Sequence, residues 1–166
     1  RENSEIIDQG FLDGRRTAAQ DHQQHQGQGH PDRRQCPPAQ PAAALSGSWY
    51  DPDHSGEGYV LEVLADGRNL VYWFSFDADG ARRWFFGVGA MQDGRMVFET
   101  LHTTGGARFG ADFDSRDVTL SDWGSLELDL GCDGGTAHFE PIEDGFAPGQ
   151  IDLVRLTELD GLECDS

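Results

Sequence analysis

From Leu45 onward the apolar positions fall in short runs rich in aromatic and β-branched residues, separated by Gly and Asp. Runs spaced roughly eight to twelve residues apart are the pattern of an antiparallel meander. Strand faces follow from the two-residue period. In the segment 124–131, Leu126, Leu128 and Leu130 point one way and Ser125, Glu127 and Asp129 the other, so this strand has one wet side. The hairpin over 69–88 differs. Leu70, Tyr72, Phe74 and Phe76 alternate with Val71 and Trp73, and Trp84, Phe86 and Val88 alternate with Phe85. Both of its faces are apolar, and the second needs a cover: a folded-over loop, the N-terminal tail, a partner subunit, or a ligand stacked on the rings.

Three turns share an Asp-Gly step, at Ala65–Arg68, Asp77–Arg82 and Gln92–Arg95, and that step supplies the positive φ that tight hairpins demand. The spacing predicts strands near 47–51, 58–64, 69–76, 82–88, 95–102, 124–130, 136–140 and 150–159, with a further short one at 118–120. No capping pattern is followed by apolar residues at helical spacing. Eight sequential strands linked by hairpins close most economically into an up-and-down barrel, which removes both sheet edges. A β-sandwich is the alternative.

The first 45 residues are of another kind. The stretch 18–44 is rich in Gln, His, Pro and Gly and lacks aromatics, which predicts a disordered tail or linker over 1–45 before a β domain over 46–166. Its histidines, His22, His25 and His30, have no framework to fix a metal geometry. Residues 1–45 hold five arginines against six acids, leaving seven against 24 beyond, so the domain carries −17 of the total −18. A surface of that sign repels nucleic acid and anionic lipid and attracts cations. Every basic residue apart from histidine is Arg, and no apolar run is long enough to span a bilayer. The opening residues have no signal-peptide character, so a secretion signal is expected outside this chain. Cys132 and Cys164 make the natural disulfide pair, with Cys36 left over; two buried thiols are the alternative. Closing a loop of that size stabilises by roughly 3 kcal/mol, and it implies an oxidising, secreted or periplasmic setting.

The segment 46–89 carries linked motifs: Gly47-Ser48-Trp49-Tyr50-Asp51-Pro52, then Ser55-Gly56-Glu57-Gly58-Tyr59, then Tyr72-Trp73-Phe74. With the Leu-rich C-terminal part ending in Cys164, the chain resembles a recurrent domain of secreted bacterial proteins over about residues 46–164. That resemblance implies secretion and a β fold and no activity. The Gly47-Ser48-Trp49 element is also similar to the first strand of avidin-like and lipocalin-like (calycin) barrels. There the Trp plugs one end under an Arg from the last strand. Arg155, on the same strand face as Ile151 and Leu153, is the matching residue, and a structural contact between Trp49 and Arg155 is expected.

Asp51, Asp53, Ser55 and Glu62, with Gly56 sixth, partly fit the spacing of a twelve-residue calcium loop. No helix flanks the segment and Gly58 stands where an apolar anchor belongs, so a polar turn with Asp51 and Ser55 bonded to backbone amides competes with it. No other cofactor is indicated. His54, His102 and His138 and the many acids leave a secreted hydrolase as an alternative function, although no nucleophile elbow, zinc-helix or phosphate-loop motif joins them. A structural or oligomerisation module is a third. The leading expectation is a noncatalytic extracellular binding domain for a small molecule or glycan, using Tyr50, Tyr72, Trp73, Trp84 and Trp123, because flat rings cover the C–H faces of a sugar while Asp and Glu accept its hydroxyl hydrogens.

Overall fold

The computed structural model describes residues 41–164, which form an all-β fold. Eight antiparallel strands run in sequence order around a closed up-and-down barrel: β1 (Gly47–Tyr50), β2 (Gly58–Val63), β3 (Asn69–Phe76), β4 (Arg82–Gln92), β5 (Arg95–Gly105), β6 (Thr119–Leu130), β7 (Gly134–Pro141) and β8 (Gly149–Arg155). Closure comes from β1 pairing with β8, Trp49 opposite Arg155 and Tyr50 opposite Val154. No sheet edge is left open. Among the described residues no helix is long and apolar enough to cross a membrane.

Alternation decides what lies inside. Trp49, Tyr59, Leu61, Val71, Trp73, Phe85, Phe98, Trp123, Leu126 and Leu128 form one continuous buried cluster along the axis. On β3 and β4 their even-numbered neighbours face outward: Tyr72 lies opposite Phe86, and Phe74 opposite Trp84. The Asp-Gly steps make the expected tight turns. Asp93 and Gly94 both have positive φ, 49° and 85°, the conformation that matches the twist of the flanking strands.

Several expected bounds shift. The short strand placed at 118–120 is the start of β6; β4 runs on to Gln92 because the β4–β5 hairpin keeps pairing to its turn, and β5 to Gly105 because it pairs there with the start of β6. β8 stops at Arg155 rather than 159, since the amides of Leu156 and Thr157 turn to the Ser48 carbonyl. The domain also begins earlier than residue 46. Pro41–Leu45 is a 3-10 turn packed on the barrel, with Ala44 buried and Leu45 against the core. The sequence pattern could not show this, because the turn is held by a residue more than 100 positions away. The expectations for the rest of the tail, its histidines and Cys36 lie outside the described residues.

The two ends of the barrel differ. One is sealed. The Arg155 side chain, 5% exposed, donates to the carbonyls of Ala44, Ser46 (3.1 Å), Cys132 (3.2 Å) and Thr157 (3.2 Å). Its guanidinium carbon lies 5.4 Å from the Trp49 ring centroid, and the Trp49 indole donates to the Leu45 carbonyl at 3.0 Å. Cys132, in the β6–β7 turn, is disulfide-bonded to Cys164, beyond β8. At the other end the loops 51–57, 77–81, 106–118 and 142–148 surround an open mouth.

Candidate functional site

The mouth holds a cavity of about 160 Å³ lined by Glu57, Trp73, Ser75, Phe85, Trp123, Phe139, Phe146 and Ile151. Each wall has a local cause. Trp73 and Phe85 are directly opposite on β3 and β4 and both point inward, ring centroids 5.3 Å apart. Trp123 meets Trp73 edge-on at 5.1 Å and Phe85 at 4.4 Å. Phe139 on β7 reaches Trp73 at 5.0 Å. It has room because its cross-strand neighbour is Gly149, where a Cβ would stand 2.6 Å from the ring. Phe146 comes from the β7–β8 loop and lies edge-on to Phe85 and Trp123.

Polar groups are few and specific. The indole N–H groups of Trp73 and Trp123 and the Tyr59 hydroxyl are buried and find no hydrogen-bond partner among the described residues. Buried donors of this kind are ordinarily paired, and leaving one unpaired costs about 1–3 kcal/mol. Tyr59 stacks on Trp73 at 5.1 Å, and burial, with the negative charges of Glu57 and Asp51 adding to it, pushes its phenol well above the ordinary tyrosine range. At the lip Glu57 Oε2 accepts from Ser75 Oγ at 2.5 Å. Arg83 pairs with Glu143 at 2.8 Å, and its guanidinium carbon lies 5.6 Å and 5.4 Å from the ring centroids of Phe85 and Phe146.

The five ring residues expected to share a surface are divided by the barrel wall. Trp73 and Trp123 are inside and border the cavity. Tyr72 and Trp84 are outside with Phe86, their planes 21° to 29° apart and centroids 5.2 to 6.3 Å apart, in a strip continued by the exposed Phe74 and Phe76. Tyr50 is half-buried beside Gly58 on the neighbouring strand. The five residues therefore lie on different faces of the wall, because ring content alone does not carry strand parity.

The carboxylate set proposed for calcium is not drawn together. Asp51 caps the 3-10 turn Pro52–His54, with Oδ1 accepting from the Asp53 amide at 2.9 Å and Oδ2 meeting His54 Nδ1 at 2.6 Å. Glu62 is exposed on β2, and no cluster of three or more His, Cys, Asp or Glu suited to a metal occurs among the described residues. Both Asp51 oxygens are thus engaged locally, as in a polar turn. The hydrogen bond to Asp51 raises His54 above the ordinary histidine value and lowers Asp51 below the ordinary carboxylate value. Their mutual stabilisation is complete between the ordinary values, 3.8 for Asp51 and 6.5 for His54. It fades as pH rises from there through the raised value of His54, or falls through the lowered value of Asp51. In an NMR titration His54 should therefore titrate above 6.5, and Asp51→Asn should return it toward that value; an unchanged midpoint in the variant contradicts the pairing.

The other histidines stand apart from the mouth cavity's lining. His102 Nδ1 meets Asp122 Oδ1 at 2.9 Å on the outer wall beside Phe86, and His138 is exposed on β7. The fold and cavity together define a closed eight-stranded meander barrel with one sealed end and one aromatic mouth. No family model, curated protein or solved structure matches the chain.

Proposed function

We propose that this barrel is a noncatalytic extracellular or periplasmic binding protein that takes a small ring-shaped molecule, a monosaccharide-sized sugar first, into its mouth. The observation that carries the reading is the cavity walled by Trp73, Phe85, Trp123, Phe139 and Phe146, with Glu57 and Ser75 at its lip. Its two tryptophans hold buried indole donors without a partner among the described residues. A ligand with an apolar ring face would cover the aromatic wall, accept from the two indoles, and donate hydroxyl hydrogens to Glu57. A cavity of this volume compares with the roughly 150 Å³ that accommodates a benzene-sized guest, so the bound unit is a single ring. The Cys132–Cys164 bond fits an oxidising compartment.

The test is calorimetric titration with a monosaccharide panel, repeated with two variants. Trp123→Phe keeps the ring and removes one donor, and should weaken binding about three- to tenfold. Trp84→Ala, on the outer wall, should leave it unchanged. A second reading, an extended glycan lying along the outer strip, is favoured by the near-coplanar rings of Tyr72, Trp84 and Phe86. It makes the opposite forecast, with loss in the Trp84 variant and none in the Trp123 variant.

A further inference from the structure

Resting on that reading of the mouth, we infer that the ligand carries a protonated amine, which the site seats between Glu57 and the aromatic wall. Three observations converge. First, Glu57 is half-buried at the lip of the cavity, and among the described residues its carboxylate meets a hydroxyl, Ser75 Oγ, and no cation. The carboxylate forms no ion pair among the described residues; His54, whose charged form it favours, is hydrogen-bonded to Asp51 instead.

Second, the rings of this mouth already hold a cation. The Arg83 guanidinium lies over both Phe85 and Phe146, the arrangement in which the negative face of a ring attracts positive charge. Arg83 is itself claimed by Glu143, so it leaves Glu57 free for a second cation on the cavity side.

Third, the four loops around the mouth hold three, two, three and two acidic residues in chain order, against His54 in the first loop and two arginines in the third. Charges of one sign around a low-dielectric opening focus an oppositely charged ligand toward it. A purely neutral sugar would gain nothing from this field. With the sugar ring of that reading laid on the aromatic wall, the ligand combines an amine with oxygen atoms on one ring, as an amino sugar does.

The probes are glucosamine, glucose and N-acetylglucosamine, titrated into the intact chain at about pH 6, where the amine is protonated. In low salt, about 0.01 M, glucosamine should bind about tenfold more tightly than either neutral ring, and in about 1 M salt the preference should shrink to about twofold. Glu57→Gln should abolish the preference while still binding glucose. Glu62→Gln, the same change on the exposed face of β2 and outside the cavity lining, should retain it and serves as the control for a folded mouth. Equal binding of all three sugars to the unaltered protein overturns the amine assignment and leaves the ring-binding reading standing. Binding of none of them overturns both.

Discussion

Arg155→Met should lower the unfolding free energy by about 3–4 kcal/mol, measured by urea or thermal unfolding. The methionine fills much of the same space but donates nothing. The carbonyls of Ala44, Ser46 and Cys132 would lose their shared partner inside the sealed end, and hydrogen bonds to a charged donor are worth about 1.5–3 kcal/mol each before water and relaxation recover part. Trp49 would lose its cover as well. For a domain of this size the drop corresponds to a fall in Tm of about 10–20 °C. Arg155→Lys should recover less than half, because an ammonium cannot span carbonyls contributed by three separate segments. An Arg155→Met protein as stable as the parent would show that the sealed end does not depend on this side chain.

Cys132→Ser with Cys164→Ser should cost a similar amount, about 3–4 kcal/mol. The bonded cysteines are 32 residues apart, and a closed loop of that length restricts the unfolded chain by about this much in the chain-entropy account. The native barrel should change little, because Arg155 and the β7–β8 pairing hold the same region from within. Ligand affinity at the opposite end should accordingly stay within about twofold while Tm falls by about 10–20 °C. A double-serine protein with unchanged Tm would contradict the role assigned to the bond.

Much of the barrel could be read from the alternation of residues and from three Asp-Gly turns, because a meander is built from local pairings whose register each turn fixes. Trp49 and Arg155 illustrate how far this reaches. Strand parity placed Arg155 with Ile151 and Leu153, and the structure puts its guanidinium over the ring of Trp49. The site was less legible. In a strand such as 69–76 both parities are apolar, so the sequence does not say which set turns inward. Closure decides it, burying Trp73 and leaving Phe74 about half exposed.

Other parts of the mouth had little sequence signal. Phe146 sits in a loop and Phe139 owes its place to a glycine on the next strand, while Glu57 belongs to the Ser55–Tyr59 motif, which pointed to a fold and not to a site. Asn69 is a further case: an unremarkable strand residue in the sequence, it is fully buried with both amide atoms unpaired among the described residues. Such groups become visible only when strands far apart in the chain are brought to the same depth of the barrel.

The most direct test of the mouth as the binding site follows the four indole N–H resonances in a ¹H–¹⁵N spectrum while the amino sugar is added. Trp73 and Trp123 should shift together and saturably, as their free donors gain an acceptor. Trp49, already bonded to the Leu45 carbonyl, and Trp84, on the outer wall, should stay in place. Movement of Trp84 alone, or of none of the four at saturating ligand, would contradict it.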